Sequence, residues 1–191
     1  MEQRANPRLL AVAEGLELAL PECPKGLGRL ILSPDSPDLI DGVRIQPAPL
    51  WADDRGYFLE VVRAGQGLAA AYPLDSLQVA AAYNYPGTVK AFHYHLHQTD
   101  CFTPVMGMLQ IALVDLRRGS KTYGSRNTIY AGVLHPLQVL IPPGVAHGYK
   151  VIGTGPSLLV YATDRFYNPK DEGRIPYNDP GINYDWETQH K

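Results

Sequence analysis

Three of the chain's six histidines fall within Phe92-His93-Tyr94-His95-Leu96-His97. Side chains alternate faces along a strand, so His93, His95 and His97 point one way while Tyr94 and Leu96 point the other. Imidazole titrates near neutral pH and its free nitrogen ligates transition metals, so such a row turned inward equips a cavity for proton transfer or metal binding. His97, at the end of the run, reads instead as a hydrogen-bonded or solvent-facing group. His135, ahead of Pro136 in a turn, and His190, near the end of the sequence, read as exposed groups without chemistry. Cys23 and Cys101 lie far apart and form no CxxC pair, which points to reduced thiols and no disulfide.

The elements that must hold these histidines are short. From Gly42 onward, runs rich in Val, Ile, Tyr, Phe and Leu follow one another: Tyr57–Val62, Leu77–Tyr83, Thr88–His95, Cys101–Met106, Met108–Leu116, Asn127–Val133, Gln138–Ile141, Gly148–Ile152 and Ser157–Thr163. Each is bounded by Gly, Pro, Asn or Asp, and almost no helical periodicity intervenes, so the expected architecture is an antiparallel sandwich or barrel. A jelly roll is the version that encloses a small-molecule cavity. Ahead of that body, Leu9, Val12, Ala13, Leu16 and Leu20 recur at spacings of three and four, which predicts a short amphipathic helix ended by Pro21. Residues 21–49 carry six prolines and read as an arm packed on the body. The expected division is therefore an N-terminal helix and arm over 1–41 and a jelly roll over 42–191.

Composition narrows the partners. Seventeen Lys and Arg against 19 Asp and Glu give a formal charge of −2, too little field to hold a polyanion or an anionic membrane, so nucleic acid is not expected. The first apolar run, Leu9 to Ala13, is broken by Glu14 and is too short for a signal segment or a membrane span. A soluble cytoplasmic protein is expected.

The stretch from Gly87 through His93, His95 and Asp100 to Gly107 resembles the first motif of the cupin superfamily, and Ile141-Pro142-Pro143-Gly144-Val145-Ala146-His147 resembles the second. In that superfamily the two motifs meet in space. The resemblance implies a candidate metal set of His93, His95, Asp100 and His147, with Asp where cupins usually place Glu. Imidazoles with one carboxylate suit iron, manganese, nickel or zinc.

A closer resemblance covers residues 42–186. Five pieces, Asp54 to Glu60, Gly87 to His93, Asp115 to Gly124, Ile141 to Tyr149 and Thr163 to Trp186, occur in the order found in dTDP-4-dehydrorhamnose 3,5-epimerases. That family is a jelly-roll cupin, usually a homodimer, that acts on 4-keto-6-deoxy nucleotide sugars without a cofactor. A 4-keto group acidifies the C3 and C5 protons, so the chemistry requires a base, an enolate stabiliser and an acid that returns the proton to the opposite face. The resemblance implies His93 as base, Asp179 as the carboxylate that orients it and Tyr167 as acid. It places Arg55, Phe58 and Glu60 at the nucleotide, in part across a dimer interface, and Lys90 and His147 near the diphosphate or sugar.

Three positions depart from the family's pattern. Arg-Gly-Leu-His becomes Lys90-Ala91-Phe92-His93, exchanging a bidentate fork for a point charge. The Gln after the histidine becomes His95, and the lysine expected to support the enolate becomes Asp100, which would repel it. The expectation is an epimerase or isomerase of altered selectivity, with single-carbon inversion favoured. Its rivals are a metal-dependent cupin oxygenase or isomerase and a non-catalytic sugar-nucleotide binding protein.

Overall fold

Among the described residues, β-branched and aromatic runs separated by Gly and Pro turns build fifteen strands and one turn of 3-10 helix. The computed structural model describes residues 8–13 and 15–188; His190 lies outside the described residues. The strands are β1 (Leu9–Ala13), β2 (Leu16–Ala19), β3 (Arg29–Leu30), β4 (Arg44–Pro47), β5 (Leu50–Asp53), β6 (Gly56–Leu59), β7 (Gln78–Asn84), β8 (Val89–His95) and β9 (Asp100–Met106). They continue with β10 (Met108–Asp115), β11 (Arg126–Gly132), β12 (Leu137–Ile141), β13 (Val145–Ile152), β14 (Ser157–Thr163) and β15 (Glu172–Arg174).

Two sheets form the body: β15-β8-β13-β10-β11-β3 and β4-β12-β9-β14-β7. Their facing sides supply one core, with Leu109, Ile111, Leu113, Ile129, Val145 and Val151 from the first meeting Phe102, Val139, Ile141 and Leu159 from the second. The outer side of the six-stranded sheet is covered as well. Ala112 and Val114 of β10, with Phe92 and Tyr94 of β8, pack there under Leu18, Leu20, Ile182, Tyr184 and Trp186. Burial on both faces explains why β10 reads Met-Leu-Gln-Ile-Ala-Leu-Val-Asp, a nearly continuous apolar run. This is the expected jelly roll, with a cavity lined by residues of both layers.

The N-terminal expectation is corrected. Where the spacing predicts a helix, the chain forms the antiparallel pair β1–β2, with Leu9 opposite Ala19 and Ala13 opposite Leu16. Gly15 adopts φ 73° at the turn, a left-handed conformation that costs glycine nothing. Leu9 and Val12 remain 55% and 69% exposed, whereas Leu18 and Ala19 are fully buried, Leu18 within the outer cluster. The helical spacing therefore groups residues that do not share an environment. The arm packs on the body, as its prolines led one to expect: β3 adds in parallel to β11, and Ile31 and Ile40 enter the inter-sheet core.

Candidate active site

β8 and β13 are antiparallel neighbours, and their register places His93 opposite His147. One residue further, the ladder slips: Tyr149 pairs with Lys90, so β8 carries an extra residue opposite Gly148. Such a bulge re-aims side chains, and it exists here because Gly148 has none; a Cβ there would stand 2.3 Å from Cβ of Ala91. Phe92 and Tyr94 face the outer cluster, while His93 and His95 face the cavity. His97 is exposed, as expected of it, and so is His135, whose ring bonds to the Tyr130 carbonyl.

Asp100 comes from the opposing sheet. It opens β9, pairs with Ile141 of β12 and Thr163 of β14, and is 2% exposed. Its Oδ2 lies 3.2 Å from His147 Nε2 and 3.7 Å from His95 Nε2, and its Oδ1 accepts a 2.7 Å bond from Gln98 Nε2. The His147 ring donates from Nδ1 to the Val145 carbonyl at 3.0 Å. His93 stacks edgewise on His147, ring centres 4.0 Å apart. Thus His93, His95, Asp100 and His147 converge, each offering a ligand atom within 4.8 Å of the others.

Burial pushes the His93 imidazole well below its ordinary value, and the neighbouring rings of His147 and His95 add to this against the pull of Asp100. His93 is therefore neutral near pH 7, the form able to accept a proton. For Asp100, burial alone would raise the carboxyl, but the bonds from His147 and His95 outweigh it and hold the group ionised. Burial likewise opposes charge on His95, yet Asp100, Asp171 and Glu172 together raise it.

The cavity above this floor has a volume of about 580 Å³. β15 pairs with β8 so that Arg174 stands opposite His93 and Glu172 opposite His95. Arg174, exposed Lys90, Tyr161 and Tyr167 line the walls. Tyr167 is 59% exposed, held through its backbone N–H by Gln78 Oε1 at 3.1 Å. The site thus joins a neutral imidazole, two tyrosine hydroxyls and two cations around a half-open cavity.

Other expected residues are placed elsewhere. Asp179 does not line the cavity; its Oδ1 accepts the N–H groups of Gly181 at 2.9 Å and Ile182 at 3.1 Å, closing a turn. Arg55 is bound to Asp53 beside it, Phe58 packs on Trp51 with ring centres 5.7 Å apart, and Glu60 pairs with Arg63 at 2.5 Å. None of these three lines the cavity of its own chain.

Sequence reasoning missed Asp171, Gln98 and Arg174. Asp171 is 5% exposed and accepts the backbone N–H groups of His97 at 2.8 Å and Gln98 at 3.0 Å, tying the loop after β8 to the segment before β15. Residues 97 and 171 are distant in sequence, and a lone Asp in Asn-Pro-Lys-Asp-Glu carries no local signal. Arg174 belongs to a three-residue strand that only pairing reveals.

Comparison with known proteins follows the same residues. The Bacillus subtilis spore coat polysaccharide biosynthesis protein SpsL is 41% identical over 155 residues, 80% of this chain and 100% of that protein. Agl13 of Haloferax volcanii, a probable low-salt glycan biosynthesis epimerase, is 36% identical over 153 residues, 78% of this chain and 96% of that one. A Legionella pneumophila dTDP-6-deoxy-D-glucose-3,5-epimerase, solved with dTDP-4-keto-L-rhamnose, superposes with a TM-score of 0.68 at 26% identity, covering 80% of this chain and 82% of that one. The profile of the dTDP-4-dehydrorhamnose 3,5-epimerase family matches residues 38–191, a span that contains every residue lining the cavity. On the strength of that match, the chain belongs to the dTDP-4-dehydrorhamnose 3,5-epimerase family.

Proposed function

We propose that this enzyme epimerises a dTDP-4-keto-6-deoxyhexose at C3, C5 or both, with His93 as the base. The observation that carries the reading is a neutral His93 facing a half-open cavity lined also by Lys90 and Arg174. His93 takes the proton next to the ketone, and the imidazolium so formed is favoured by the Asp100 charge. Asp100 thus takes the place expected for Asp179. The ketone oxygen gains negative charge as the proton leaves, and Tyr167, reaching in from the segment after β14, returns a proton to the other face. Lys90 and Arg174 suit the diphosphate, although Arg174 is also tied to Glu172 at 2.6 Å.

A second copy of the chain completes this reading. Trp51, Tyr57 and Phe58 on the β5–β6 hairpin are 57%, 45% and 65% exposed, an aromatic patch better suited to a protein surface than to water. A homodimer would let Arg55, Phe58 and Glu60 reach a neighbouring cavity. Free Cys23 and Cys101 fit a reducing cytoplasm. No helix among the described residues is long and apolar enough to cross a membrane.

The test follows solvent deuterium into the sugar ring of a dTDP-4-keto-6-deoxyhexose by mass spectrometry. Wild type incorporates deuterium at C3 or C5; His93→Asn does not, and undiminished exchange there sinks the assignment. Tyr167→Phe admits deuterium while slowing inversion. Sedimentation that shows monomer alone at micromolar concentration removes the shared-site part.

A further inference from the structure

We infer that Asp171, together with Asp164, is a positioning residue: the two carboxylates clamp the wall segment that carries Tyr167 to the loop that carries Gln98, and so fix Tyr167 relative to the cavity floor. The catalytic consequence rests on the epimerase reading.

β8 and β9 belong to different sheets, so the residues that join them, 96–99, have no ladder to satisfy their backbone. All four N–H groups go to one stretch of chain. Leu96 donates to the Asp171 carbonyl at 3.0 Å, His97 to Asp171 Oδ1 at 2.8 Å, Gln98 to Asp171 Oδ2 at 3.0 Å and Thr99 to Asp164 Oδ1 at 2.9 Å. The Asp164 N–H returns a bond to the Thr99 carbonyl at 3.2 Å. Hydrogen bonds to a carboxylate are about twice as strong as those between neutral groups, and buried Asp171 is shielded from competing water. The only basic group within 4 Å of its carboxylate among the described residues is His95 Nδ1 at 3.9 Å, too far for a hydrogen bond. The charge is therefore held by the loop's amides rather than by a cation.

Between these two posts the chain has little else to hold it. Residues 165–170 are all exposed, and among the described residues the one hydrogen bond they make beyond their neighbours in sequence is from the Tyr167 N–H to Gln78 Oε1. Tyr167 reaches the cavity from this segment, whereas Asp164 and Asp171 do not line it and act only through what they hold. Gln98 joins the clamp to the floor. Its backbone is bound to Asp171, while its side-chain Nε2 donates to Asp100 Oδ1 at 2.7 Å and stands 3.2 Å from His95 Nε2. Wall, loop and floor are thus one hydrogen-bonded unit. His93 is held apart from it, by the pairing of β8 with β13 and β15. Loosening the clamp frees Tyr167 and leaves the base in place. A misplacement of about 1 Å can cost about 10²-fold in rate, and here the cost falls on return of the proton rather than on its removal.

The experiment compares full-length wild type, Asp171→Asn and Asp164→Ala on a dTDP-4-keto-6-deoxyhexose, scoring solvent deuterium in the ring against inversion, and follows trypsin cleavage after Arg165 and Lys170. Asparagine keeps the shape of Asp171 but turns an amide NH2 toward one of the two backbone donors, so that a donor meets a donor. Asp171→Asn should lower kcat for inversion by about 10–100-fold with KM and deuteration near wild type, so the ratio of deuteration to inversion rises. Asp164→Ala, which loses only the bond from Thr99, should move the same ratio the same way by less. Cleavage after Arg165 and Lys170 should quicken while Arg126, in the body, stays uncut. Should Asp171→Asn fail to fold, Asp164→Ala decides alone. A ratio equal to wild type, or deuteration and inversion falling together, overturns the positioning role and leaves a structural tie. Wild type that neither deuterates nor inverts the sugar removes the epimerase reading by itself, and proteolysis then decides the clamp. Faster cleavage confined to residues 165–170 supports it; unchanged cleavage there overturns it.

Discussion

Asp100 opens β9 and Asp115 closes β10, and both carboxylates are almost wholly buried, at 2% and 0% exposure. Their surroundings differ in kind. Asp115 accepts from Arg117 Nε at 2.8 Å, from the Arg117 backbone at 3.0 Å and from the hydroxyls of Ser120 and Thr122 at 2.6 Å each. Every partner lies within seven residues of it, inside Asp115-Leu116-Arg117-Arg118-Gly119-Ser120-Lys121-Thr122. Asp100 instead meets His95 of β8, Gln98 of the following loop and His147 of β13. A carboxylate saturated by a local cation and hydroxyls is a structural tie. One held by imidazoles from separate elements on the floor of a cavity is a site for chemistry.

The contrast can be broken most severely at His93. His93→Asn should reduce deuterium exchange by about 10²–10⁴-fold, the usual worth of a positioned base, while the urea midpoint stays close to wild type. Asp115→Ala should do the reverse. Removing a buried charge from its partner costs about 3–5 kcal/mol, so the urea midpoint falls sharply while exchange per folded molecule holds. Equal effects of the two substitutions on stability would erase the distinction.

A smaller effect joins the two regions' behaviour to packing. Gly148→Ala adds a Cβ 2.3 Å from Cβ of Ala91 and 2.7 Å from the Lys90 carbonyl, pushing β8 off its bulge. A loss of about 1–3 kcal/mol is expected, with slower exchange because His93 moves with the strand. Unchanged exchange would show that the bulge does not aim this histidine.

The smallest effect is in pH. Burial opposes the Asp115 charge, but bonds from Arg117, Ser120 and Thr122 outweigh it and hold the carboxyl below its ordinary range. The stability it contributes is complete above the unfolded value, near pH 3.9, and is lost as pH falls toward its depressed one. The stability gap between wild type and Asp115→Asn should therefore be flat near neutrality and narrow in acid. A gap that widens in acid contradicts the sign.

Legibility followed the range of the physical signal. β8, β10, β11 and β14 could be read to within a residue or two, because their alternation or continuous apolarity is written in neighbouring positions. β3 and β15, two and three residues long, have no such pattern and exist only through pairing with β11 and β8. The β1–β2 hairpin shows the opposite failure. A helix-like spacing over Leu9 to Leu20 was outweighed by the need to cover the outer face of the six-stranded sheet, where Leu18 fits as part of a strand.

What residue order determined by itself was the all-β body, the common face of His93 and His95 and the Pro-Gly turn that returns His147, since alternation and turn chemistry are local. Only the tertiary structure decided which carboxylate joins them. Asp100 and Asp179 are equally eligible as residues, but the sheet-to-sheet packing brings β9 under β8 and β13, while Asp179 spends its oxygen on Gly181 and Ile182. It also decided that Asp171 locks the loop after His95 and that Arg174 stands across from His93. Those placements depend on strand order and distance between chain segments far apart in sequence, quantities that no run of adjacent residues encodes.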